Sequence, residues 1–145
     1  MSETSEQLTF IRGTDREGNL QFKHTFEMVT PEYFRSRLDG AIAQTTGDIV
    51  ITAHTMPDDD AIFSALAARE LIASQHPDKQ VKIVLSEQRI GMWNNFSGAQ
   101  DIIWAASETT PDGRPGDLVD HLHSGDLLLA LDQGEPRFFP KGPVI

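Results

Sequence analysis

From residue 30 onward, short apolar runs alternate with longer stretches of helical period, and this alternation limits the fold more than any other feature. Aliphatic runs bounded by turn signals suit strands buried on both faces. Strands separated by helices are joined by crossovers into a parallel sheet. VTPEYFRSRLDGAIAQTTG predicts the first helix. Thr30 can cap it, Pro31 suits its first position, and Glu32 favours its positive end. Phe34, Leu38 and Ile42 repeat every four residues as one apolar stripe, and Gly47 is the stop signal. DIVITAH then predicts a buried central strand through Ile49, Val50 and Ile51. PDDDAIFSALAARELIASQH reads as a turn opening a helix, with Ile62 and Leu66, and Phe63, Ala67 and Leu71, on its buried face. QVKIVLS is a second strand, DIIWA a third, and PDGRPGD a loop. LVDHLHS is a short helix with Leu118 and Leu122 on one face, and DLLLALD is the clearest buried strand. Val144 and Ile145 read as the start of a further strand.

Ahead of this pattern, LTFIRG and NLQFKHTF flank the turn-rich TDREGN. Leu20, Phe22, His24 and Phe26 alternate with polar residues, which predicts a β-hairpin. The expected fold class is therefore α/β, a parallel sheet flanked by helices, with an N-terminal hairpin. Residues 1–30 form an extension and residues 31–145 the α/β domain.

The length of 145 residues suits one ordinary domain. A formal charge of −10 argues against long duplex nucleic acid, whose affinity for proteins comes from cations that neutralise phosphates. It leaves room for a small anionic substrate held through a metal ion, which brings its own positive charge. The absence of cysteine removes disulfides, thiolate nucleophiles and Cys-based zinc sites. No run approaches the ~20 apolar residues that span a bilayer, and MSETSEQLTF has neither a basic segment nor an apolar one. A cytoplasmic protein without membrane partners is the expectation. No phosphate-binding loop or nucleophile elbow occurs.

Open parallel sheets bind ligands outside the carboxyl ends of their strands. Two predicted strands end there in metal-competent residues. ITAH leads into TMPDDDA, with His54, Asp58 and Asp60, and LLLALD ends at Asp132. An imidazole with several carboxylates suits Mn²⁺, Mg²⁺ or Zn²⁺. Two ions ~3.5–4 Å apart are a recurring device for phosphate ester hydrolysis. Against this stands the plain role of Asp at a helix start, favourable by ~0.3–1 kcal/mol without any chemistry. The position of His54 at one strand end and of Asp132 at another favours the metal reading. Arg137, five residues on, is a candidate contact for a substrate phosphate and equally an ordinary surface cation. His121 and His123 are read as surface residues, His24 as a buried satisfied histidine, and Trp93, Phe96 and Trp104 as core before base-stacking groups.

HTMPDDDAIFSALA resembles the first motif of the DHH phosphoesterases, H-x-x-P-D-x-D-A-x-x-S. His54, Pro57, Asp58, Asp60, Ala61 and Ser64 match it. LLLALDQGEPRFF resembles the second motif, an apolar strand ending in Asp before a polar loop. The resemblance implies a Rossmann-like DHH domain over residues 31–145. His54 and Asp58 would hold one manganese ion, Asp60 the other, and Asp132 would bridge them, with Mg²⁺ as a substitute metal. In that family an activated water attacks phosphorus, and Asp58, Asp60 and Asp132 are then the catalytic set. The implied substrates are small phosphorylated molecules or oligonucleotides, in the manner of the members acting on short oligoribonucleotides or 3′-phosphoadenosine 5′-phosphate. A homodimer is compatible with it. Asp59 and Phe63 replace the small residues common in the motif, and the third motif, Asp-His-His, is absent. The expectation is a partial DHH domain, truncated at its C-terminal end and inactive alone, from an active parent. A non-catalytic regulatory or interaction domain with an incomplete metal site stays open, as does a flavodoxin-like binding domain.

Overall fold

A computed structural model describes residues 6–11, 23–28, 30–89 and 91–132. The chain divides into two compact units, Met1–Ala43 and Gln44–Ile145.

In the first unit β1 (Glu6–Ile11) pairs antiparallel with β2 (Lys23–Met28), with Leu8 opposite Phe26 and Phe10 opposite His24. This is the expected hairpin. Leu20 and Phe22 lie outside the described residues, as does the side chain of His24. Helix α1 (Pro31–Gln44) starts as its sequence dictates: Thr30 Oγ1 accepts from the Tyr33 N–H at 3.1 Å, and Pro31 takes the position that lacks a donor. The apolar stripe is only partly buried. Ile42 is 1% exposed, whereas Phe34 is 54% exposed. The helix also ends before Gly47, and this glycine serves a different purpose. A Cβ there would collide with Asp126 Oδ1, while the Gly47 N–H donates to Gly125 O at 2.9 Å.

The second unit contains four strands, all parallel, in the order β5-β4-β3-β6. They are β3 (Ile49–Thr52), β4 (Val81–Leu85), β5 (Ile103–Trp104) and β6 (Leu127–Ala130). Every residue of β3 is buried, as expected for a β-branched run with a neighbour on each side. Strand β6 corrects its sequence reading. It is half-buried throughout and stands at the end of the described strands. An apolar run reports what its faces touch, not whether a further strand covers its edge.

Helix α2 (Asp59–Gln75) packs on β3 and β4. Its buried face is Ala61, Ile62, Ala65, Leu66, Arg69 and Ile72. Ile62 and Leu66 are as expected, but Phe63, Ala67 and Leu71 are not buried, and Leu71 is 57% exposed. The two alanines, rather than the larger apolar residues, extend the stripe. Val50 and Val84 instead pack with Ala105 and Leu118, joined by Ile103, Leu122 and Leu128. Leu118 opens a short 3₁₀ helix, Leu118–His121, whose start is held by a reciprocal cap between Asp117 and Asp120. Among the described residues no helix is long and apolar enough to cross a membrane.

The turn into β6 is organised by one carboxylate. Asp126, with a side chain 5% exposed, accepts from the Asp48 N–H at 2.7 Å and the His123 N–H at 2.8 Å. Burial pushes its pKa up, but these two backbone donors, with Lys82 and His123 nearby, bring it below the ordinary 3.8. A carboxyl lowered in the folded state contributes stability above its unfolded pKa and loses that contribution as pH falls through the folded value. Urea unfolding at a series of pH values should therefore show stability dropping below pH 3.8. Asp126→Asn should be less stable near neutrality and show a shallower acid slope; an unchanged slope would refute the assignment.

Candidate metal centre

Strand register brings two side chains to one height. Thr52 of β3 pairs with Ala130 of β6, and the Leu131 N–H continues the ladder to Thr52 O at 2.9 Å. His54 and Asp132 each follow by two residues, so both stand at the carboxyl edge of adjacent parallel strands. His54 Nε2 is 3.6 Å from Asp132 Oδ2 and 3.9 Å from Asp58 Oδ1. Ligand atoms of His54, Asp58 and Asp132 all lie within 4.8 Å of one another.

Asp58 is fixed by α2. It is the N-cap, in extended backbone, and its Oδ1 accepts the Ala61 N–H at 3.0 Å. A carboxylate has about four lone-pair sites, so capping leaves capacity for a ligand. Asp132 adopts φ 53°, the only non-glycine residue with positive φ among those described. Asp tolerates this region better than most residues, but such conformations cluster at functional sites. The His54 side chain is 22% exposed, while Asp58 and Asp132 are 60% and 53% exposed, so the centre faces solvent on its carboxylate side.

The donor set fits a divalent ion. Tetrahedral ligands at the ~2.1 Å typical of Zn–N bonds stand about 3.4 Å apart. The observed 3.6 and 3.9 Å are wider by a few tenths of an ångström, and the ligand atoms of all three residues lie within 4.8 Å of one another. An imidazole with two carboxylates is a borderline-to-hard set suited to Mn²⁺, Mg²⁺ or Zn²⁺. The chain's −10 charge favours cation recruitment.

Asp60 is not in this group. It sits in the first turn of α2, exposed, beside Asp59. Ser64 is exposed further along the same helix. Arg137, Val144 and Ile145 lie outside the described residues. His123 is a surface residue, its side chain 71% exposed; His121 is more covered, at 17%, with Nε2 3.0 Å from Glu108 Oε2. Trp93 is core, 1% exposed and 5.2 Å from Trp104 between ring centroids, whereas Phe96 is 53% exposed and meets Phe63 edge-on.

Sequence reading missed Ser86 and Arg89. Ser86 Oγ donates to Thr55 O at 2.8 Å, and Arg89 Nη1 donates to Pro57 O at 3.2 Å. Their signal was positional: the loop after β4 leaves the same sheet edge as the loop after β3.

No family model matches the chain, and neither does any curated protein or solved structure.

Proposed function

We propose that the second unit carries a divalent-metal centre of the DHH phosphoesterase kind, serving hydrolysis of phosphoester or phosphoanhydride bonds in small nucleotide-like substrates. The observation that supports this reading is the approach of His54, Asp58 and Asp132 from two neighbouring strand ends. Manganese is the preferred ion, with magnesium as a substitute; a bound ion supplies Lewis acidity and an activated water. His54 holds its place through β3, Asp58 through the α2 cap and Asp132 through β6. The exposed carboxylate oxygens not turned toward the ion can take the proton of the attacking water. Exposure on the carboxylate side leaves a path for a phosphate. Asp60 enters only with a second ion.

One observation favours a second reading, a non-catalytic domain with an incomplete metal site: Asp60 stands outside the three-residue group. Two-metal hydrolysis needs both ions and a positioned phosphate. With three ligands gathered among the described residues, this chain is therefore expected to show little turnover by itself. Incubation with a short oligoribonucleotide and Mn²⁺ separates the two readings. Slow nucleotide release, above that of Asp132→Asn protein, supports the phosphoesterase. Equal rates with Mn²⁺ bound favour the non-catalytic domain, and rapid turnover lost in Asp60→Ala would mean a complete two-ion site.

A further inference from the structure

The connection between β4 and β5 runs alongside the ligand-bearing turn and then along α2. Ser86 bonds the Thr55 carbonyl, and Arg89 the Pro57 carbonyl. A Cβ on Gly91 would stand 3.1 Å from Asp59 Oδ1. Phe96 meets Phe63 with ring centroids 4.9 Å apart, and Arg69 Nη1 donates to Gly98 O at 3.1 Å. Gly98 has φ 80°, and the Arg69 guanidinium fills the space a Cβ would take. Positions 86, 89, 91, 96 and 98 thus meet positions 55, 57, 59, 63 and 69 in matching order.

The first two contacts fall between two metal ligands. Residues 53–58 belong to no helix or strand, and within them His54 and Asp58 bracket the turn of residues 55–57. The fold fixes the far side of each ligand through β3 and the α2 cap. The turn between them is anchored by side chains from another loop. A ligand pair holds an ion well only when the groups behind it restrict its motion.

We infer that Ser86 and Arg89 are positioning residues of the metal centre, holding the Thr55 and Pro57 carbonyls so that His54 and Asp58 keep their separation. The inference rests on the proposed metal reading. Neither residue touches the ion; each acts through the turn. Arg89 is exposed, so its loss removes little from the core.

The test is calorimetric Mn²⁺ titration of the 145-residue chain, paired with thermal melts in chelator. Arg89→Ala and Ser86→Ala should each weaken Mn²⁺ binding by about tenfold, the lower end of what loss of a ligand-supporting group costs. Their metal-free melting temperatures should stay close to that of the parent. Arg89→Lys keeps a donor for Pro57 O and should recover most of the affinity, whereas Arg114→Ala, in a separate loop, should bind Mn²⁺ as the parent does. Parent-like affinity in Arg89→Ala would overturn the inference. So would an affinity loss that tracks a lower metal-free melting temperature and is not rescued by lysine. If the parent binds no Mn²⁺, or Asp132→Asn binds it equally well, the metal reading fails and takes this inference with it.

Discussion

Asp132→Asn is expected to weaken Mn²⁺ binding by more than the roughly 10–100-fold that loss of a ligand-supporting group costs, because a charged ligand itself is removed. Asparagine is the informative replacement. Like aspartate it tolerates the left-handed region, so at φ 53° it should keep the backbone of the loop after β6. Alanine would add strain to the loss of charge. The same change should appear in thermal melts. An ion that binds only the folded state stabilises it by about 2.7 kcal/mol at one hundred times its Kd. For a domain of this size that is a rise of roughly 5–10 °C. The parent should show this rise and Asp132→Asn should not. Equal rises in both proteins would place Mn²⁺ elsewhere.

Trp93→Ala should cause the largest loss of stability from any single substitution considered. Its side chain is 1% exposed and packs against Trp104 at 5.2 Å. Truncating a buried tryptophan to alanine costs about 3–5 kcal/mol through lost transfer energy and the cavity left behind. Against a total stability of about 5–15 kcal/mol, that leaves a marginal or unfolded protein. Urea unfolding should show a much lower midpoint with little change in slope. A loss under about 1 kcal/mol would mean that Trp93 sits in packing loose enough to collapse around the gap. Phe96→Ala, at a ring already 53% exposed, should cost far less.

The contrast between Trp93 and Phe96 shows where the sequence was readable and where it was not. Central strand β3 was legible because an uninterrupted β-branched run has few alternatives to full burial. The parallel sheet followed from alternation, and the meeting of His54 with Asp132 followed from the rule that strand carboxyl ends gather ligands. A capping role for an aspartate at this helix start was legible too, and the structure gives it to Asp58 without removing that residue from the three-residue group. Legibility failed where partners come from far along the chain. Phe63 and Leu71 have helical spacing, but α2 turns Ala61 and Ala65 inward with Ile62 and Leu66 instead, and spacing alone cannot rank two adjacent stripes. Strand β6 looked fully buried from its leucines, yet it is half-buried at the end of the described strands. Gly47 resembled a helix stop, whereas its lack of a side chain answers the close approach of Asp126. Asp60 matches the motif by position and stands exposed in the first turn of α2, outside the three-residue group that Asp58 joins.

His54, Asp58 and Asp132 are proposed to hold one divalent ion together. Pulsed electron paramagnetic resonance of the Mn²⁺-loaded chain tests it most directly, because a directly bonded imidazole couples its nitrogen to the electron spin of the metal. A nitrogen coupling from a single histidine is expected that disappears in His54→Gln, while Mn²⁺ bound to the His121→Gln and His123→Gln proteins keeps it. A spectrum without nitrogen coupling, or one unchanged in His54→Gln, would rule out His54 as a ligand of the ion.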